Sequence, residues 1–512
     1  MTVLSGLVFL PTVVAALLMV VPRTRVRFFA WAWVVLASVE LALIVLLWIG
    51  YIGGGRTGFA YEENIRWLPT LGSGYHIGVD GFSLPLVALT GVLFLACAIY
   101  SLREQRRTRA WVVLFLFLQT VSFGLFVSLD LLVFFVFFDL SIVAMYFIIA
   151  GWGHAGAARA ALQFFLYTFI GSLALLLGFI GLYLASTPHT FDIPELVRQD
   201  PLKSSPVLAG AILFAISLGL AIKTPTVPFH TWLPPAHTEA PTAGSVILAG
   251  VLLKMGTYGF VRIAMPILPN AWRAYAMVFV IVGVISVLYG ALVAMAQTNL
   301  KRMIAYTSIN HMGYIILGLG AAGLATGSNV QASVLAVSGA VTQMVSHGLL
   351  TGALFLLAGV LYARGATFDI DAYGGLATRA PVFAGLMVVA VFGSLGLPGL
   401  SGFIAEFQIF TGSLGAAPIP TALSVVGIVI TASLLLRMFQ RIFLGHQRHP
   451  LETDRVLTTS DGADTPIKDV FSREFASIAP LLLLSVIIGV VPRFLLGVIE
   501  PAAHALIALV GR

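Results

Sequence analysis

Four ionisable side chains lie inside long apolar runs. Asp139 sits in Phe137-Phe138-Asp139-Leu140, Lys223 closes Leu218-Gly219-Leu220-Ala221-Ile222, Lys254 follows Val251-Leu252-Leu253, and Glu406 follows Phe403-Ile404-Ala405. A charge at the centre of a bilayer costs about 2.5–3.5 kcal/mol on insertion scales, so four unpaired ones would cost ~10–14 kcal/mol. That is as large as the net stability of a typical fold. These groups must be paired, hydrated or partly neutral, and two acids with two lysines can balance one another. The chemistry open to such a set is proton transfer; the alternative is a static ion pair or snorkelling to the surface. Snorkelling suits Arg437, about two turns from a basic loop. It is also the expectation for Glu40, for which the sequence suggests no partner. It fits Lys254 poorly, because apolar or small residues flank it on both sides.

Histidines extend the pattern. Thr307, His311 and Tyr314 stand at i, i+4 and i+7, and Gln343, His347 and Thr351 at i, i+4 and i+8. Each set makes a polar stripe on one helix face, an arrangement that could hold a file of water. A haem bound by His311 and His347 could be written, but nothing else in the sequence supports one. His230 and His237 lie in a stretch, 228–241, where polar residues are interleaved with Trp and Pro rather than with Lys and Arg. That pattern suits a segment packed into protein. No zinc ligand spacing is present, and the single cysteine, Cys97, can form neither an internal disulfide nor a cluster.

The elements that must position these groups follow from composition. Of 512 residues 59% are hydrophobic and 10% charged, with a mean hydropathy of +1.01. Soluble domains are near 45–50% apolar and about 25% charged, so a soluble enzyme, a disordered chain and a nucleic-acid binder are excluded. The apolar runs are continuous rather than alternating, which excludes a transmembrane barrel. About 20 apolar residues cross a bilayer, and fourteen such segments are read at 2–21, 28–50, 81–101, 111–129, 131–152, 161–185, 206–227, 243–264, 274–296, 303–323, 330–362, 382–411, 420–444 and 475–498. The expected fold is all-α and polytopic. Seventeen Lys and Arg fall in the odd-numbered loops against eight in the even-numbered loops and termini. The positive-inside rule therefore places both termini on the non-cytoplasmic side, and the net charge of +7 needs no nucleic acid. Lys223, Lys254 and Arg437 are left over, inside segments.

Segments 7 and 12 are interrupted, by Lys223-Thr224-Pro225-Thr226-Val227-Pro228 and by Gly396-Leu397-Pro398-Gly399-Leu400-Ser401-Gly402. They are five segments apart, as two inverted five-helix repeats would place them. Discontinuous helices at matching positions of inverted repeats mark ion or substrate sites in transporters; two unrelated proline kinks would look the same. The organisation expected is an N-terminal unit 1–110, repeats over 111–265 and 266–445, and 446–512 as a cytoplasmic loop with segment 14.

Several of these runs are recognisable together. Ala221-Ile222-Lys223-Thr224-Pro225, His230-Thr231-Trp232-Leu233-Pro234, the stretch from Ala236 to Gly256, Gln297 to Tyr306 and Ser308 to Tyr314 resemble the antiporter-like subunits of respiratory complex I across essentially the whole chain. The run His237-Thr238-Glu239-Ala240-Pro241-Thr242-Ala243-Gly244-Ser245 resembles the M-type (mitochondrial subunit 4) branch. Mrp-type cation/proton antiporter subunits and membrane-bound hydrogenase subunits are the nearest other relatives, and they share every feature named. The resemblance implies that Asp139 is the segment-5 acid, Lys223 its segment-7 partner, Lys254 the central lysine and Glu406 the terminal acid, with His311 and His347 as hydrated relay positions. It also implies a membrane arm shared with L-type and N-type subunits; five lysines against twenty-three arginines look like the usage of a GC-rich bacterial genome, so a bacterial plasma membrane is the expected location. FMN, iron–sulfur clusters and quinone belong to partner subunits and no cofactor to this chain. Two positions depart from the family pattern. Asp139 replaces the usual Glu, so contact with Lys223 needs a shifted helix or a water, and Pro235 stands where the family often has Asp.

The energy scale suits such a role. An acid beside a lysine holds its proton, and desolvation favours release once the pair opens. A change of two pKa units is worth about 2.7 kcal/mol, against about 2.3 kcal/mol to move one charge across 100 mV.

Overall fold

The computed structural model describes residues 3–22, 25–55, 58–104, 106–325, 329–448 and 468–511. Fourteen helices among them are long and apolar enough to cross a membrane. Segments 1 to 11 form helices within a few residues of the expected ranges, from Val3–Val20 to Val330–Gly365. The order of burial is informative. Segments 8 (Thr242–Ile267), 10 (Leu300–Ala325) and 11 (Val330–Gly365) are enclosed almost completely. Segments 2, 6 and 13 instead turn Leu46, Ile170, Leu177 and Val429 outward, toward lipid or a neighbouring subunit. The helices bearing Lys254, His311 and His347 are therefore the innermost ones.

Segment 7 runs over Pro206–Lys223 and stops there; a turn region and a short helix, Leu233–Glu239, follow before segment 8. Segment 12 is two halves, Pro381–Ser394 and Ser401–Leu414, each too short to span alone. Pro398 cannot continue the ladder, and Gly396 (φ +77°) and Gly399 (φ +94°) take left-handed conformations in the gap. Segment 8 is continuous but carries two π turns, Leu248–Leu252 and Phe260–Ala264, on either side of Lys254.

Two features differ from the expectation. Between segments 2 and 3 the chain forms an antiparallel hairpin, Ala60–Leu68 with Ser73–Val79, in register Asn64↔His76. Gly72 (φ +56°) closes its turn region. It lies outside the membrane-crossing helices, where strand edges can be solvated. The second difference is segment 14. The single helix expected over 475–498 ends at Val490, and a separate helix, Arg493–Val510, begins after Pro492. Leu495, Val498, Ile499, Ala502, Leu506 and Ile507 are buried on one face, whereas Arg493, Glu500 and His504 are exposed. Phe494 stacks on Trp48 at 5.3 Å near the end of segment 2, and the Val498 carbonyl meets Gly81 at the start of segment 3. This last helix thus lies across the helix ends on the hairpin side. Such one-sided burial is typical of an interfacial helix. On the opposite side, Arg364 clamps Glu474 with two bonds of 2.8 and 2.7 Å, joining the end of segment 11 to the start of segment 14.

Candidate functional site

The two halves of the polar interior are built differently. At segment 8, Lys254 is wholly buried, and its ammonium donates to the Ala249 carbonyl at 2.7 Å. Ala249 belongs to the first π turn, and widening a helix by one residue leaves carbonyls that the ordinary ladder would consume. The same Nζ lies 2.6 Å from Nδ1 of His347 on segment 11. The His347 ring stands 5.3 Å from that of His311 on segment 10, edge to face. His311 Nε2 faces the Ser394 carbonyl at 3.2 Å and Glu406 Oε1 at 4.0 Å. Ser394 ends the first half of segment 12 and Glu406 lies in the second, so the break supplies both groups. A Cβ on Gly396 would stand 2.5 Å from Glu406 Oε2, so glycine makes room for the carboxylate. Lys254, His347, His311 and Glu406 therefore form one row through four helices, each no more than 5% exposed.

Lys223 is arranged otherwise. It ends the first part of segment 7, fully enclosed, and donates to Ser141 Oγ at 2.8 Å; its ammonium also sits 4.8 Å over the Phe138 ring. Both partners flank Asp139 on segment 5. Asp139 makes no ion pair with Lys223 within 4 Å, and its buried Oδ1 has no hydrogen-bond partner. The shorter acid leaves a gap, as its missing methylene suggested. Segments 7 and 8 meet next to Lys254: a Cβ on Gly256 would touch Thr224 Oγ1 at 2.5 Å and the Leu220 carbonyl at 2.7 Å.

The loop histidines do not join the row. His237 is buried and stacks on Phe355 of segment 11 at 4.6 Å, two turns beyond His347, with both ring nitrogens unpartnered. His230 packs against Tyr289 at 4.9 Å, on segment 9. Glu40 is not snorkelled: it is fully buried and accepts a hydrogen bond from Gln119 of segment 4. Arg437 is exposed near the end of segment 13, as expected. Among the described residues no group of three or more His, Cys, Asp or Glu side chains could hold a metal ion.

Residues 128–431 match the family described as NADH:quinone oxidoreductase/Mrp antiporter, transmembrane. The chain belongs to this family. The match covers the site from Asp139 to Glu406. NADH-quinone oxidoreductase subunit M of Rickettsia bellii (strain RML369-C) is 40% identical over 88% of this chain and 86% of its own length. Subunit M of Pseudomonas aeruginosa is 35% identical over 92% and 91%. The F(420)H(2) dehydrogenase subunit M of Methanosarcina mazei is 36% identical over 92% of each. The fold is that of a chain in respiratory complex I from Thermus thermophilus with bound NADH, with a TM-score of 0.86 and 29% identity over 99% of this chain and 100% of that one. A chain of the Mrp complex from Dietzia superposes with a TM-score of 0.84 at 22% identity over the full length of both.

Two buried cations escaped the sequence reading of this family member, because both were counted among loop charges that orient the chain. Lys301 is fully enclosed at the start of segment 10 and donates to the Ala240 carbonyl at 2.5 Å. The available signal was Asn299, whose side chain accepts from the Arg302 amide at 3.0 Å. An Asn before an apolar run marks a helix start, which puts Lys301 inside the helix. Arg262, in the second π turn, pairs with Asp80 at 2.5 Å and with the Tyr258 hydroxyl at 2.9 Å. Asp80 precedes segment 3; burial pushes its carboxyl up, but the Arg262 guanidinium together with the Ser83 and Phe82 amides outweighs that and holds it below the usual range.

Proposed function

We propose that this chain translocates protons across the membrane as the M-type membrane-arm subunit of a NADH:quinone oxidoreductase, without redox chemistry of its own. The observation that carries the reading is the row Lys254–His347–His311–Glu406, because four buried proton-bearing groups follow one another at 2.6 Å, 5.3 Å between ring centroids and 4.0 Å. In this reading protons pass from Lys223 to Lys254, then through the two histidines to Glu406. Water bridges the distances beyond hydrogen-bond reach. Asp139 sets the charge near Lys223. His230 and His237 lie outside the row, so their part is confined to access.

The driving energy arrives from partner subunits, which hold FMN, iron–sulfur clusters and quinone. The neighbours in the membrane arm are the L-type and N-type antiporter-like subunits. Two inverted repeats, over 111–265 and 266–445, give the two halves of the path, with the breaks of segments 7 and 12 as their matching points. The distribution of basic residues supports both termini outside, and five lysines against twenty-three arginines suit a bacterial plasma membrane.

The test is proton-to-electron stoichiometry of the assembled complex in liposomes, for Lys223→Ala and for Glu406→Gln. Both variants are expected to lose pumping. Normal pumping with normal assembly in both rules the relay out. Co-purification with flavin and iron–sulfur subunits separates this reading from a stand-alone cation/proton antiporter.

A further inference from the structure

Glu40 and Gln119 lie in the middle of segments 2 (Val26–Gly53) and 4 (Thr108–Val127), both with no exposed surface. The Gln119 amide donates to Glu40 Oε2. The other two oxygens, Glu40 Oε1 and Gln119 Oε1, are buried and have no hydrogen-bond partner. As an ionised carboxylate facing an amide carbonyl, the pair would leave two acceptors with no donor. An unmet buried acceptor loses its whole hydration, and a carboxylate loses most of all.

No nearby group supplies a countercharge, and no donor reaches either oxygen; the unpartnered donors of these two helices, Trp33, Trp48 and Trp111 Nε1, stand seven or eight residues from Glu40 or Gln119, about 10 Å or more along the helix. No hydroxyl reaches the two oxygens: Ser122 donates to the Leu118 carbonyl and Thr90 to the Leu86 carbonyl, while Thr120 Oγ1 accepts from Thr12 on segment 1 and bonds to neither oxygen. Segments 1, 3 and 4, which pack around segment 2, carry one charged side chain within their helices, Arg109. It is ten residues from Gln119, about 15 Å along the helix.

One proton resolves all of this. A carboxylic acid has one O–H donor beside a carbonyl acceptor, and a primary amide sets a carbonyl acceptor beside an NH2 group, one of whose two N–H bonds faces the acid. We propose that Glu40 carries a proton and forms a cyclic two-bond acid–amide pair with Gln119, a neutral protonation site that joins segments 2 and 4 outside the proton path. Glu40 Oε1–H donates to Gln119 Oε1, and Gln119 Nε2–H donates to Glu40 Oε2. The ring works with either assignment of the amide atoms. It gives each of the four side-chain oxygen and nitrogen atoms a partner, leaving over one amide N–H, at a contact where lipid-like surroundings offer no substitute.

Infrared difference spectra of the assembled complex, wild type minus Glu40→Gln, read the protonation state directly. The expected result is loss of one protonated-carboxyl C=O band, the same at neutral and at alkaline pH. Loss of a carboxylate band instead overturns the proposal. Gln119→Leu is expected to keep that band but shift it to the higher frequency of an unbonded acid; an unshifted band overturns the pairing, and this arm decides alone where Glu40→Gln fails to assemble. Because glutamine keeps the ring as an amide–amide pair, Glu40→Gln is expected to pump with the wild-type stoichiometry. An assembled variant that does not pump would place Glu40 in the path and overturn its separation from it. That outcome is distinct from failure of the relay, which Glu406→Gln reports.

Discussion

The ammonium of Lys254 and Nδ1 of His347 are 2.6 Å apart, and no acid shares the contact. A charged lysine has three donors and no acceptor, so the imidazole must present a lone pair at Nδ1 and keep its proton at Nε2. In the proposed relay the two residues share the proton that passes between them. Lys254 keeps the Ala249 carbonyl as a second partner, so its position does not depend on where that proton lies. His347→Leu removes the acceptor and leaves the lysine anchored. We expect proton pumping to fall about tenfold or more, roughly 1.4 kcal/mol on the barrier, with assembly retained. Measuring the proton-to-electron ratio in liposomes checks it; an unchanged ratio removes His347 from the path.

The gap in segment 12 makes its own prediction. Gly396 has φ +77°, and a Cβ there would sit 2.5 Å from Glu406 Oε2. Gly396→Ala therefore combines backbone strain, of order 1–3 kcal/mol, with displacement of the carboxylate. The expected outcome is a lower melting temperature of the assembled complex together with weaker pumping. Loss of stability with full pumping would show that the gap does not position Glu406.

Asp139 and Lys223 are held apart by Ser141, which takes the lysine's hydrogen bond at 2.8 Å. Asp139→Glu restores the missing methylene and is expected to be mild. Asp139→Asn removes the charge and should cut pumping severely. Equal effects of the two in the same liposome assay would mean that the charge is unimportant.

Arg262 and Asp80 tie segment 8 to the start of segment 3, both under a tenth exposed. Breaking a buried ion pair from one side costs about 3–5 kcal/mol, whereas replacing both partners is often neutral. Asp80→Asn and Arg262→Met should each lower the melting temperature, and the double variant should recover part of the loss. Additive losses would show that the two groups act separately.

His76 fastens the hairpin to the segment 6–7 connection. Its ring meets Asp192 through Nδ1 and Glu62 through Nε2, the latter at 2.8 Å. Burial by itself pulls the imidazole down, but the hydrogen bonds and charges of Asp192 and Glu62 outweigh it and raise its pKa above the ordinary value. A raised folded value stabilises the latch fully below the unfolded pKa, about 6.5, and that stabilisation is lost as pH rises through the folded value. Amide exchange in residues 60–79, corrected for its intrinsic pH dependence, should therefore quicken in alkaline buffer. In His76→Gln that acceleration should vanish. If it persists, another group controls the hairpin.

The ranges of most helices and four of the intramembrane charges, Asp139, Lys223, Lys254 and Glu406, were legible because both are local. A run of about 20 apolar residues crosses a bilayer whatever its neighbours do, and a lysine within one is costly wherever it points. The interruptions of segments 7 and 12 were equally local, set by Pro225, Pro228 and Pro398. Pro492 carried the same signal, yet apolar residues continue on both sides of it, so hydropathy alone ran one helix through the break.

Partnership was not legible, for a reason specific to membranes. Lipid-facing and core-facing helix surfaces are both apolar, so periodicity does not say which way a residue points. Only the packed structure set His347 against Lys254 across 93 positions, gave Lys223 to Ser141 rather than Asp139, and matched Glu40 with Gln119. It also enclosed Lys301 and Arg262, which charge counting had left outside. The sequence by itself determined where Asp139, Lys223, Lys254 and Glu406 enter the bilayer; the tertiary structure alone decided which group answers each charge, because that depends on helix rotation and contact.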